Sequence, residues 1–112
     1  MVVHDHLTDD EVDRLFRALA DGTRRDIVRR TLTGGISVSD LAADYAMSFA
    51  AVQKHVAVLE QAGLVDKEAR GRERIVRAVP DRIATARVLL RQLEDLWRAR
   101  FDQLDDVLAE SD

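Results

Sequence analysis

No cysteine occurs among the 112 residues. That excludes disulfides, thiolate metal sites and a cysteine nucleophile together. No apolar run approaches the roughly 18 residues that a membrane span needs. The opening MVVHDHLTDD lacks the basic start and apolar stretch of a signal peptide, so a cytoplasmic location is expected. Internal repeats and low-complexity tracts are missing. So are a phosphate-cradling glycine loop and a general base with a nucleophile near it in sequence. No enzyme and no cofactor are expected. A chain of this length is one domain with a real but small core, which a partner sharing apolar surface would help to close.

The net charge of −4 looks wrong for a nucleic-acid binder, but it is unevenly spread. Residues 1–13 carry five acids and no lysine or arginine, and residues 92–112 carry seven acids and two arginines. The stretch 14–91 carries fifteen basic and nine acidic residues. A basic middle between acidic ends suits a centre that meets phosphate; uneven charge in a small domain also arises by chance.

Thr8 and Glu11 form a capping box. Val12, Leu15, Phe16 and Leu19 follow at helical spacing, so a helix is expected over about 9–20. Asp21 or Thr23 caps a second helix carrying Ile27, Val28 and Leu32, which ends before Gly34-Gly35. Ser37 opens a third, with Asp40 three residues on. Ser48 caps a fourth, whose apolar stripe is Ala51, Val52, Val56 and Leu59, and Gly63 ends it. Leu64–Ala69 and Glu73–Val79 are β-prone, joined by Arg70-Gly71-Arg72 as a hairpin loop. Pro80, the chain's single proline, stops the second strand and leads into a last helix. There Ala86, Leu90, Leu93, Trp97, Phe101, Leu104 and Leu108 make a continuous stripe, about 40 Å long at 1.5 Å per residue. So small a domain cannot cover it, and a partner helix or a second copy is required.

Helix, turn, helix and basic hairpin, in that order, are what a winged helix-turn-helix needs to read DNA. Opposite the core stripe of the fourth helix stand Phe49, Ala50, Gln53, Lys54 and Ala57. Gln53 matches an adenine edge, and Lys54 reaches guanine or phosphate. The Ser48 hydroxyl and the open amides beside it suit a phosphate. Arg70, Arg72, Arg74 and Arg77 match phosphate oxygens or a narrow minor groove, Arg70 and Arg72 ahead of Arg74 and Arg77. An amphipathic helix pair with a solvated, salt-bridged hairpin is the plainer alternative. Arg24, Arg25, Arg29 and Arg30 read mainly as a solvated face, Arg24 being free to meet a carboxylate or the phosphate backbone. His55 reads as a packing or phosphate-facing residue. His4 and His6, with nearby aspartates, make a poor zinc or nickel site, and no metal is expected.

Two runs carry a family resemblance. Leu19-Ala20-Asp21-Gly22-Thr23-Arg24-Arg25-Asp26-Ile27 resembles the L-A-D-P-T-R-R-x-I-L opening of ArsR-type winged-helix repressors. Ser48 to Val65, SFAAVQKHVAVLEQAGLV, resembles their S-x-x-x-V-S-x-H-L-x-x-L-x-x-A-G-L-V pattern. The resemblance covers about 15–110. It implies a homodimer built from the first and last helices, here Leu15, Phe16, Leu90, Leu93, Trp97, Phe101 and Leu104. It also implies that Ser48, Ala50, Gln53, Lys54, His55 and the wing arginines face DNA. Gly22 stands where the family usually has proline, Ala46 where it has a turn glycine, and Gln53 where serine is frequent. Metal-sensing members use a Cys-x-Cys at the third helix, where this chain has Ser37-Val38-Ser39. Others place histidine on the last helix, where this chain has none. The metal-independent branch with a long last helix is the nearer likeness.

The expectation is therefore one mostly α winged-helix domain over 1–112 with a small β-hairpin. Residues 8–20 and 81–110 would dimerise, 37–62 form the helix-turn-helix, and 64–79 the wing. Its function would be that of a homodimeric transcriptional regulator, a repressor, on a palindromic DNA operator. A protein-binding winged-helix module and a metal-responsive sensor using His4 and His6 are the rivals.

Overall fold

The structure, a computed structural model, describes residues 7–110. Helix α1 (Asp9–Leu19) begins with the expected box: the Glu11 amide donates to the Thr8 hydroxyl, and the Thr8 amide to the Glu11 carboxylate, each at 3.1 Å. Asp21, rather than Thr23, caps α2 (Gly22–Thr31), accepting from the Arg24 amide at 3.0 Å. There follow β1 (Ile36–Ser37), α3 (Val38–Asp44), α4 (Phe49–Gln61), β2 (Val65–Arg70), β3 (Glu73–Ala78) and α5 (Pro80–Glu110).

The three strands form one antiparallel sheet in the order β1-β3-β2. Strand β1 was not expected. Two residues leave no alternation to recognise, and Ser37 serves both as a strand residue and as the cap of α3. Pairing Ile36 with Val76 and Ser37 with Ile75 ties the start of α3 to the wing.

Gly63, at φ +77°, lets the chain leave α4 and enter β2. The Leu64 amide donates to the Leu59 carbonyl, and the Gly63 amide to the Glu60 carbonyl, both at 3.0 Å. This is a Schellman closure, with Leu59 and Leu64 packing together in the core. That core draws Leu15 and Ala18 from α1, Ile27 and Val28 from α2, Leu41 from α3, and Val52, Val56 and Leu59 from α4. Val38, Ala62, Leu64, Val65, Val76 and Ala86 complete it. Leu15 therefore corrects the interface expected of it: its side chain is fully buried inside the protomer, beyond a partner's reach. The apolar face of α1 turns toward α2 and α4 and takes Leu15 with it, whereas Phe16, one residue on, stays only half-buried.

Helix α5 begins at Pro80, as the single proline predicts. Ile83, Thr85 and Ala86 meet the body of the domain. From Leu90 to Ala109 every residue is exposed. The helix is about 46 Å long at 1.5 Å per residue and projects. The radius of gyration is accordingly 18.9 Å, against about 13 Å for a compact chain of this length.

Candidate nucleic-acid interface

The helix-turn-helix is fixed from both sides. Ser37 and Ser48 each cap a helix, accepting from the Asp40 amide at 3.0 Å and the Ala51 amide at 3.1 Å. In the turn, the Met47 amide donates to the Tyr45 carbonyl at 2.7 Å. No residue other than glycine adopts a positive φ among those described, so Ala46 occupies the usual glycine position without backbone strain. Tyr45 buttresses the turn from behind. Its hydroxyl donates to Asp26 at 2.5 Å, and the Arg30 guanidinium lies 5.4 Å from its ring centre. Arg30 also pairs with Asp44, and Arg29 with Asp26. The Tyr45 hydroxyl, and then Arg29 beside it, hold the Asp26 carboxyl below its ordinary pKa. Burial, followed by the nearby carboxylate, pushes the Tyr45 phenol up. Arg29 and Arg30, expected as a solvated face, thus join α2 to itself and to α3. Asp26 and Tyr45 lie 19 residues apart, and no local spacing marks them as partners.

The outer face of α4 is open. Phe49, Ala50, Gln53 and Lys54 are exposed, whereas Ala57 is half-covered. Neither the Gln53 nor the Lys54 side chain makes a hydrogen bond or ion pair in the described structure. The Ser48 hydroxyl satisfies the third amide of the helix. The Phe49 and Ala50 amides, the first two, have no acceptor within the helix and point outward with the positive end of its dipole.

The wing is a hairpin with a two-residue turn, Gly71-Arg72. Gly71 has φ +62° and Arg72 a negative φ, the type II′ pattern that requires glycine first. Arg70 belongs to strand β2 rather than to the loop. The register divides the basic residues. Arg74 pairs with Ala69, on the ribbon face that carries buried Val65 and Val76, while Arg70 pairs with Glu73 on the other face. Arg72 sits at the tip. Arg77 lies 3.8 Å from Glu68 and Lys67 lies 3.7 Å from Glu60 of α4. In the described structure Arg70, Arg72 and Arg74 have no such carboxylate. Three guanidiniums stay available on a ribbon beside α4, and Arg77 is the engaged one.

Arg24 and Arg25 do something the sequence did not disclose. The Arg24 guanidinium donates to the Ala18 carbonyl at 2.8 Å and to the Arg17 carbonyl at 2.9 Å, and Arg25 donates to the Leu19 carbonyl at 2.7 Å. They close the C-terminal end of α1, while Asp21 closes the N-terminal end of α2. Backbone carbonyls carry no side-chain signature, so charge pattern alone cannot find such a role. His55 is half-buried, with its Nδ1 3.3 Å from Arg24 Nη1. It joins α4 to that corner on the packing side of the helix, off the open face that the resemblance gave it.

Among the described residues no group of three histidine, aspartate or glutamate side chains stands together as a metal site. His4 and His6 lie outside those residues. No described helix is long and apolar enough to cross a membrane.

With this geometry in view, the comparisons with known proteins are direct. Residues 19–68 match the model of a helix-turn-helix domain family. The HTH-type transcriptional regulator Rv2034 of Mycobacterium tuberculosis is 40% identical over 85 residues, covering 76% of this chain and 77% of that protein. An ArsR-like transcriptional regulator from Rhodococcus sp. RHA1 superposes with a TM-score of 0.81 at 29% identity, over 100% of this chain and 99% of that one. The homodimeric winged helix-turn-helix DNA-binding domain Mb0332 of Mycobacterium bovis shares the fold, with a TM-score of 0.63 at 24% identity over 80% of this chain and 88% of that one. Sequence match, open recognition helix and basic wing agree: the chain belongs to the ArsR-type winged helix-turn-helix transcriptional regulators.

Proposed function

We propose that this regulator works as a cytoplasmic, metal-independent repressor that binds a palindromic operator as a homodimer. The observation that carries the reading is the open face of α4, where the Gln53 and Lys54 side chains stand unengaged beside three wing arginines that have no carboxylate partner among the described residues. Gln53 is placed one turn inside the Ser48 cap, where its amide offers the donor and acceptor that an adenine edge matches. Ser48, Lys54, Arg70, Arg72 and Arg74 meet phosphate. Two copies would join through Phe16, Leu90, Leu93, Trp97, Phe101 and Leu104, and so place two α4 helices about 34 Å apart, one DNA turn. The homodimeric Mb0332 domain, of the same fold, supports that assembly.

Binding of variants to a selected operator duplex and to random duplex tests it. Gln53→Ala should cost about 1–3 kcal/mol on the operator and much less on random DNA. Lys54→Ala should weaken both similarly. Arg70→Ala and Arg72→Ala should each lower the slope of log affinity against log salt by roughly one unit. Equal loss on both duplexes for Gln53→Ala would make it a backbone anchor. Affinity that does not respond to salt would favour the protein-binding module.

A further inference from the structure

Outside α5, only three large apolar side chains stand exposed among the described residues: Leu32, Met47 and Phe49. Two of the three flank Ser48, the start of the recognition helix. Phe49 is 47% exposed and Met47 37%. Met47 stands just before the cap, the position from which an apolar residue often packs against the fourth residue of the helix, here Val52. Phe49 has no such use. It is the first residue of α4, and its ring makes no aromatic or cation contact in the described structure. An apolar ring left in water at a helix start loses free energy unless something covers it.

The position says what covers it. Phe49 lies one turn from Gln53 on the outer face of α4, and Ala50 beside it adds a second apolar surface. In the major groove the single apolar group is the thymine 5-methyl, and alanine and phenylalanine side chains are among those that contact it. We infer that Phe49, with Ala50, reads thymine methyl groups in each half-site. The amide of Gln53 and the ring of Phe49 then divide the recognition of A·T pairs between a polar edge and an apolar one. This rests on the proposed DNA reading and adds a base identity to it.

The test uses the full chain. A binding duplex is enriched from a random-sequence duplex library, and each thymine is replaced in turn by deoxyuridine. This removes one methyl and keeps every hydrogen bond. At one or two positions per half-site the unmodified protein should lose about fourfold in affinity, the worth of one buried methyl. Phe49→Ala should bind the thymine duplex more weakly and show a thymine-to-deoxyuridine ratio near one at those positions. Phe49→Leu, which keeps an apolar group, should retain part of the ratio. Circular dichroism confirms that the variants keep their helices, as an exposed first-turn residue allows. A full ratio surviving in Phe49→Ala overturns the inference, as does an unmodified protein indifferent to every methyl. Failure to enrich any duplex would instead bring down the DNA reading beneath it, a result distinct from either.

Discussion

The body of the domain and the projecting half of α5 are both rich in leucine and valine, yet they treat them oppositely. In the body, Leu15, Leu41, Leu59 and Leu64 are wholly withdrawn from water. Beyond Leu89, Leu93 is 54% exposed and Trp97 64%. The Trp97 and Phe101 rings stack on each other with centroids 5.5 Å apart, so each shields the other only in part. The body is bent into a closed corner by caps and clamps at Asp21, Arg24, Arg25 and Gly63. The helix has no such closure and keeps its spacing straight past the domain's edge. One half is thus complete within a single chain, and the other requires a second surface.

Four experiments break or sharpen that contrast, from the largest effect to the smallest. Leu93→Glu with Trp97→Glu puts two carboxylates into the proposed seam, each costing several kcal/mol if buried without a partner. Sedimentation should show the dimer of the unmodified protein reduced to monomer, and an unmodified protein that already sediments as monomer at micromolar concentration refutes the interface. Leu59→Ala should destabilise the body by about 2–5 kcal/mol. In denaturant melts at two protein concentrations this loss should appear equally at both, whereas Leu104→Ala should act through association and shift with concentration. Tyr45→Phe removes the donor that keeps the Asp26 pKa low. A lowered carboxyl pKa gives stability above the unfolded value, near 3.9, and loses it as pH falls through the folded one. Melts across pH 2–7 should therefore show the variant's deficit, about 1 kcal/mol, at neutral pH and its decline in acid. A deficit independent of pH would mean that the hydroxyl matters only for packing. Last, Gly22→Pro should stabilise the body by about 0.4–1 kcal/mol. Gly22 is the first residue of α2, and Asp21 before it already has φ −108° and ψ 133°, a conformation that a following proline favours. A lower melting temperature would show that the glycine is needed there.

How much of this was legible depends on how local the cause is. Ser48, Gly63, Thr8–Glu11 and Pro80 announce element ends within a few residues, and the structure places the corresponding ends there. Lys54 was legible because helical spacing sets it opposite Val52 and Val56, whereas Gln53 stands at the flank of that stripe and is open because nothing in the body covers it. The Tyr45–Asp26 bond, the Arg24 clamp on α1 and the pairing of β1 with β3 join distant residues, or use backbone groups that every residue has. Leu15 was misassigned for a related reason. Periodicity says that a residue belongs to an apolar face, but not whether its own chain or another covers that face.

The junction between β3 and α5 bears on how the proposed dimer would respond to a signal. Only Val79 separates them, its amide donating to the Leu64 carbonyl at 2.9 Å, and the next residue is Pro80. The joint is one residue long, and a tilt of α5 that it transmits would carry the ribbon with it. Over a helix of about 46 Å, a tilt of about 5° at the far end is a displacement of about 4 Å, close to the rise of one base pair, roughly 3.4 Å. A change too slight to loosen either half could in this way put two recognition helices out of step with their grooves.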